Sequence, residues 1–178
     1  MVWNDEKITQ WGQAGGVTPF DPSLVSGASI DLRISDMVAY QKEWSTPPFM
    51  RYGNKIEMAE VWCQPQKFSA IYLEPLKGVL LSTLEYVKFP NNAVGQLLSK
   101  STAGRCLIEH CHSGYVDANF EGTLTLEIIN FSNVIWELRP GDKLVQLIIF
   151  DMVAPALNGY DVTGRYQGQV LPTAPKGW

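Results

Sequence analysis

Residues 114–130 read GYVDANFEGTLTLEIIN, and this stretch decides the fold. From Thr123 onward, Leu124, Leu126 and Ile128 alternate with Thr123, Thr125, Glu127 and Ile129. A period of two belongs to a strand with one face buried. Upstream, Asp117 stands in a turn flanked by Tyr115 and Phe120. Glu127 falls on the less apolar face of the strand. It is either a solvent-facing residue or a partly desolvated acid–base group, and periodicity leaves both readings open.

Working outward, the same pattern recurs. ASIDLRI (residues 28–34) alternates Ile30, Leu32 and Ile34. Further strands are expected at Ala70–Leu73, Gly78–Thr83, Val94–Leu98, Val134–Leu138 and Lys143–Phe150. Pro90-Asn91-Asn92 and Pro140-Gly141-Asp142 are turn signals between them. Many short strands without helical periods indicate a sandwich or barrel rather than a parallel α/β sheet. One short helix is expected near the start, capped by Asn4, with Asp5 and Glu6 at the positive end of its dipole and Ile8 and Trp11 on one side. Ser99–Arg105 reads as a second helical turn. Tyr40–Met58, with Trp44, Pro47 and Pro48, reads as an irregular excursion, and GRYQGQVLPTAPKGW (164–178) as a tail outside the core.

The chain has 178 residues, 46% hydrophobic and 18% charged, as expected of one globular domain. A formal charge of −4 argues against a general nucleic-acid binder, which needs clustered Lys and Arg. Cys63, Cys106 and Cys111 are an odd count, expected as reduced thiols in the cytoplasm. The first residues lack the apolar core of a signal peptide. Leu144–Leu157 is broken by Gln146 and Asp151 and is too short to cross a bilayer, so no membrane partner is expected.

Several chemistries lack their motifs. There is no G-x-x-x-x-G-K-[ST] loop, no G-x-G-x-x-G and no G-x-S-x-G. His110 and His112 lie close to Cys106 and Cys111, a spacing that could suggest zinc. The H-x-E and P-C-x-x-C elements of zinc deaminases are missing, and the two histidines read as incidental. SKSTAGR (99–105), by contrast, sets two hydroxyls, Ser101 and Thr102, beside Lys100 and Arg105, a group suited to phosphate oxygens.

Taken together, ASIDLR (28–33), KSTAGR (100–105), GYVDANFEGTLTLEIIN (114–130), PGDKLVQL (140–147) and RYQGQ (165–169) resemble the dCTP deaminase family of the dUTPase-like group. The resemblance implies a mainly β fold, a distorted jelly-roll or β-barrel with a few short helices. One domain would span 1–164, with 165–178 as a lid over the nucleotide site. It implies Glu127 as the catalytic acid–base, with Ser101 and Arg105 holding water, base and glutamate in register. Lys100, Ser101, Thr102, Ala103, Gly104 and Arg105 would form the phosphate-binding turn. Asp117 would meet the sugar 3′-hydroxyl, and Phe120 would pack on the sugar. Thr125, Leu126 and Glu127 would border the base, and Gln146, Tyr160, Arg165 and Gln169 would close on base and triphosphate.

The implied reaction is metal-independent deamination of dCTP to dUTP and ammonia, without zinc, Mg²⁺ entering on the triphosphate. Glu127 and the RYQGQ tail favour deamination over a plain dUTPase. The alternatives are a bifunctional enzyme releasing dUMP and pyrophosphate, in which Asp117 also helps a water attack the α-phosphate, and a nucleotide-binding regulator without turnover. Family likeness further implies a homotrimer with sites between subunits and dTTP as a feedback inhibitor. The sequence departs from the family's usual Arg-Ser-Ser at Lys100-Ser101-Thr102, from its lysine at Arg165, and from a small apolar residue at Ser113. Lysine keeps the charge at position 100 but loses the bidentate fork of arginine.

Overall fold

The alternation at Ile30, Leu32 and Ile34 extends, in a computed structural model describing residues 1–177, into a twelve-residue strand, β3 (Ser29–Tyr40). This strand serves two layers. Its first half pairs with β2 (Val25–Ser26) and β12 (Lys143–Asp151), Leu32 facing Val145 and Ile30 facing Leu147. The register then shifts between Ile34 and Val38, and the second half pairs with β4 (Gln66–Lys67) and β6 (Gly78–Lys88). Ser35 sits at this irregularity, its hydroxyl 2.8 Å from that of Ser82 and accepting from Met37 N–H at 3.2 Å. A bulge that lets one strand change sheets is how a β-sandwich turns its corner.

Around β3 the main path runs β8 (Ile108–His110), β10 (Glu121–Asn130), β6, β3, β12, β7 (Ala93–Ser99), β9 (Tyr115–Val116). β1 (Val17–Thr18) adds to β6, while β5 (Ile71–Leu73) and β11 (Trp136–Leu138) form a separate pair. The core lies inside the curl. Ile30, Leu32, Ile34, Leu81, Leu126, Ile128, Leu147 and Ile149 are each at most 1% exposed. Each such burial stabilises the fold by about 1.5–3 kcal/mol.

Helices are short and peripheral. In α1 (Asp5–Trp11), Asn4 caps as its side chain accepts from Lys7 N–H at 3.1 Å, and Ile8 is buried. The Tyr40–Met58 excursion is more ordered than its composition suggests, because β3 runs through Tyr40 and α2 (Lys55–Glu60) begins inside it. Asn54 caps α2 by accepting from Ile56 and Glu57, and its amide donates to the Glu57 carboxylate at 2.6 Å. The two side chains at Asn54-x-x-Glu57 thus hold the helix start together, with Asn54 as the N-cap. β6 also outruns the expected Gly78–Thr83. Glu85 within it is fully buried and accepts from Arg33 of β3 twice, from the backbone N–H at 2.8 Å and from Nε at 2.6 Å. No helix among the described residues is long and apolar enough to cross a membrane.

Candidate active site

The two ends of the sheet path, β8 and β9, are consecutive in sequence and joined by residues 111–114. This loop stitches the seam where the curled sheet would otherwise stay open. Cys111 N–H donates to Glu127 O of β10 at 3.0 Å, and Leu97 N–H of β7 donates to Gly114 O at 2.7 Å. The approach to β7 leaves no space for a side chain at position 114, because a Cβ there would lie 2.7 Å from Leu97 O.

A cavity of about 380 Å³ opens at this seam. Leu80, Leu97 and Leu124 supply apolar wall, Phe120, Tyr160, Tyr166 and Trp62 aromatic wall, and Asp117, Thr125, Glu127 and Gln169 polar groups. Phe120 meets Tyr160 of α4 (Tyr160–Thr163) edge to face, centroids 5.4 Å apart. Burial raises the Asp117 carboxyl above its ordinary value, and does the same to the Tyr160 phenol. The Cys111 thiol is raised by burial first and then by the charges of Glu127 and Glu109.

Residues beyond Gly164 form one edge of the cavity instead of hanging free. Thr123 N–H donates to Gln169 O, and Gln169 Nε2 returns a bond to Thr123 O, both at 2.8 Å. Gly168 N–H reaches Glu121 O at 2.7 Å and Thr173 N–H reaches Thr125 Oγ1 at 3.2 Å. Gly122 permits this docking, since at its φ of 150° a Cβ would lie 3.0 Å from Gln169 O. Trp178, the tail's last residue, lies outside the described residues.

Three buried polar atoms here lack hydrogen-bond partners: Glu127 Oε2, Gln169 Oε1 and His110 Nε2. Buried polar atoms are nearly always satisfied, which makes the two of them that face each other, on His110 and Glu127, worth following. Spacing alone makes His110 read as incidental. It is 2% exposed, and its Nε2 lies 3.3 Å from Glu127 Oε2. Trp62, Leu80, Thr173 and Pro175 also line the cavity without having been singled out. Nothing local marks them, because each arrives from a distant part of the chain.

The structure brings together Asp117, Phe120, Thr125, Glu127, Tyr160 and Gln169. It does not bring the other expected residues to this cavity. Leu126 turns its side chain into the core, leaving only its backbone on the strand. Arg165 donates from Nη1 to Gly177 O. Lys100 to Arg105 and Gln146 do not line the cavity. Ser101, Thr102 and Arg105 of α3 (Ser101–Arg105) are exposed and Ala103 is buried, with Gly104 between them. Lys100 Nζ lies 2.5 Å from Asp31, which also faces Lys143 at 3.4 Å. Gln146, opposite Asp31 in the β12–β3 ladder, accepts from Ser29 Oγ at 3.4 Å. One chain thus carries a nucleoside-sized cavity and, apart from it, a cationic hydroxyl-bearing turn. Among the described residues no three His, Cys, Asp or Glu side chains converge to hold a metal ion.

The dCTP deaminase-like family model matches residues 2–152. The chain belongs to the dCTP deaminase family. It is 33% identical over 187 residues to a "dCTP deaminase, dUMP-forming" of Mycolicibacterium gilvum, covering all of this chain and 96% of the relative. A protein of the same name from Mycobacterium marinum is 34% identical over 184 residues, again over all of this chain and 96% of its own length. Among solved structures, the 2′-deoxycytidine 5′-triphosphate deaminase of Agrobacterium tumefaciens superposes with a TM-score of 0.66 at 20% identity, covering 83% of this chain. This chain spans 47% of that one, and the likeness bears on the fold alone.

Proposed function

We propose that this chain deaminates dCTP and carries the product on to dUMP. The observation that carries the reading is Glu127, a half-buried carboxylate on the cavity wall beside the apolar and aromatic groups that would enclose a nucleoside. The pyrimidine lies at the Thr125–Glu127 end, and the deoxyribose lies against Phe120 with its 3′-hydroxyl toward Asp117. Glu127 takes a proton from water as the oxygen attacks C4 of the cytosine ring and delivers it to N3 as the C4=N3 double bond opens. It then moves the proton of the new hydroxyl to the exocyclic nitrogen as C4=O forms and the C–N bond breaks, so dCTP and water give dUTP and ammonia. Leu80, Leu97 and Leu124 keep bulk water away from the intermediate.

The second step adds water across the α-phosphate and releases pyrophosphate. The names of the relatives support this step over deamination alone. The raised Asp117 carboxyl is suited to handling a proton beside the sugar and α-phosphate. The separation of the Lys100–Arg105 turn from the cavity within one chain supports a homotrimer in which a neighbouring copy brings its α3 to the triphosphate. Ser101 and Arg105 would then face Glu127 across the interface, with Gln146 and Arg165 completing the enclosure and Mg²⁺ arriving as part of the nucleotide substrate.

Product analysis by ion-exchange chromatography after incubation with Mg-dCTP tests the reading. Ammonia, dUMP and pyrophosphate, all lost in Glu127→Ala, are expected. Accumulation of dUTP would remove the second step. Saturable dCTP or dTTP binding without turnover would instead make the protein a nucleotide-binding regulator.

A further inference from the structure

His110 closes β8, opposite Ile128 of β10. Its backbone is held on both sides, with N–H donating to Ser99 Oγ at 3.2 Å and O accepting from His112 N–H at 2.8 Å. The backbone that carries the imidazole is therefore held beside Glu127. Nε2 makes no hydrogen bond elsewhere, and neither does Glu127 Oε2, 3.3 Å away. A carboxylate oxygen only accepts. An unprotonated Nε2 would set two lone pairs against each other at buried atoms, so one proton must lie between the two.

We infer that His110 is the positioning residue of Glu127: its Nε2–H donates to Oε2 and leaves Oε1 as the oxygen that faces the reacting base. The inference rests on the deaminase reading above. Side-chain exposure agrees with it, since the Glu127 side chain is 33% exposed although Oε2 is buried. The accessible oxygen is then Oε1. The free-state contact is not aligned as a hydrogen bond, and such contacts tighten when substrate completes the site. During turnover Oε1 gains and loses the proton while His110 keeps its own, so the carboxylate does not rotate away between the two transfers.

The chain has only two histidines, His110 buried and His112 exposed, so an imidazole ¹⁵N spectrum of the full-length protein contains two ring systems. His110 is expected with its proton on Nε2, and Glu127→Ala should move the His110 signals and leave those of His112 in place. A proton on Nδ1 of His110, or no response to Glu127→Ala, would overturn the inference. This arm does not depend on activity, so a wild type inert toward dCTP would defeat the deaminase reading while the spectrum still decides the pair.

In kinetics, His110→Leu should lower kcat about 100-fold with little change in KM, the cost of a misplaced catalytic group. His110→Gln sets an amide N–H where Nε2 stood and should recover most of that loss. His110→Asn, too short to do so, should not. Glu109 and Cys111 beside the pair, and Asp117, Tyr160 and Tyr166 lining the same cavity, are untouched in all three variants. Wild-type kcat in His110→Leu would overturn the inference, as would equal losses in the glutamine and asparagine variants.

Discussion

Replacing Gly114 by alanine tests whether the stitch that closes the sheet also sets the cavity. An alanine Cβ would stand 2.7 Å from Leu97 O and 2.9 Å from Leu97 Cβ. The first obstacle is backbone in the middle of β7, so no rotamer change relieves it. Ordinary contact begins near 3.4 Å, and the 111–114 loop must back away by roughly 0.7 Å. That retreat stretches the Leu97 N–H bond to Gly114 O and tilts the cavity wall that Ser113 and Gly114 form. Overpacking of this kind costs about 2 kcal/mol, which in a domain of this size lowers Tm by about 4–8 °C. A wall displaced by a large fraction of an ångström should also cost roughly 10- to 100-fold in kcat/KM. Differential scanning fluorimetry and dCTP turnover would be read side by side with Gly27→Ala, where an added Cβ meets nothing within 4 Å. A Gly114→Ala protein with the melting temperature and turnover of that control would refute the reasoning.

Arg33→Met leaves the Glu85 carboxylate buried and unpaired, and urea denaturation should show a loss of about 3–5 kcal/mol. Asp117→Asn should abolish turnover yet raise Tm at pH 7. Burial lifts the carboxyl above its ordinary value of 3.8, so the folded protein holds a proton that the unfolded chain has already released. Wild-type stability therefore falls as pH rises through that interval and stays reduced above it, and the variant's advantage should fade below pH 3.8 in a pH series of melts. Truncation after Gly164 removes the bonds from Gly168, Gln169 and Thr173 to β10 but no strand of the core. It should lower kcat/KM at least about 10-fold while the fold persists by circular dichroism, and unchanged activity would end the lid proposal.

What could be read from the sequence was local. Ile30, Leu32 and Ile34, or Leu124, Leu126 and Ile128, announce a buried face by spacing alone, and Asn4 announces a helix start. Asn54 and Glu57 carried the same kind of signal for α2, overlooked among the prolines of the excursion. The strand expected at Gly78–Thr83 falls short of β6, which continues through Glu85. Its burial depends on Arg33, 52 residues away, and no local pattern reports that. The site divides in the same way. Asp117, Phe120, Thr125 and Glu127 share one short continuous stretch of sequence, whereas His110 gains its meaning from a carboxylate on the neighbouring strand. The tail was read as peripheral from its few apolar residues. Its docking comes from backbone bonds to β10, which composition does not encode.

The double membership of β3 has a consequence for how the molecule comes apart. With one strand supplying ladder partners to both layers, neither layer keeps a complete set of neighbours once the other has gone. Heating should then give a single calorimetric peak with no separate transition for either layer. The amides around Leu32 and Val38, on either side of the Ser35 corner, should be the last to take up deuterium, exchanging only when the whole chain opens.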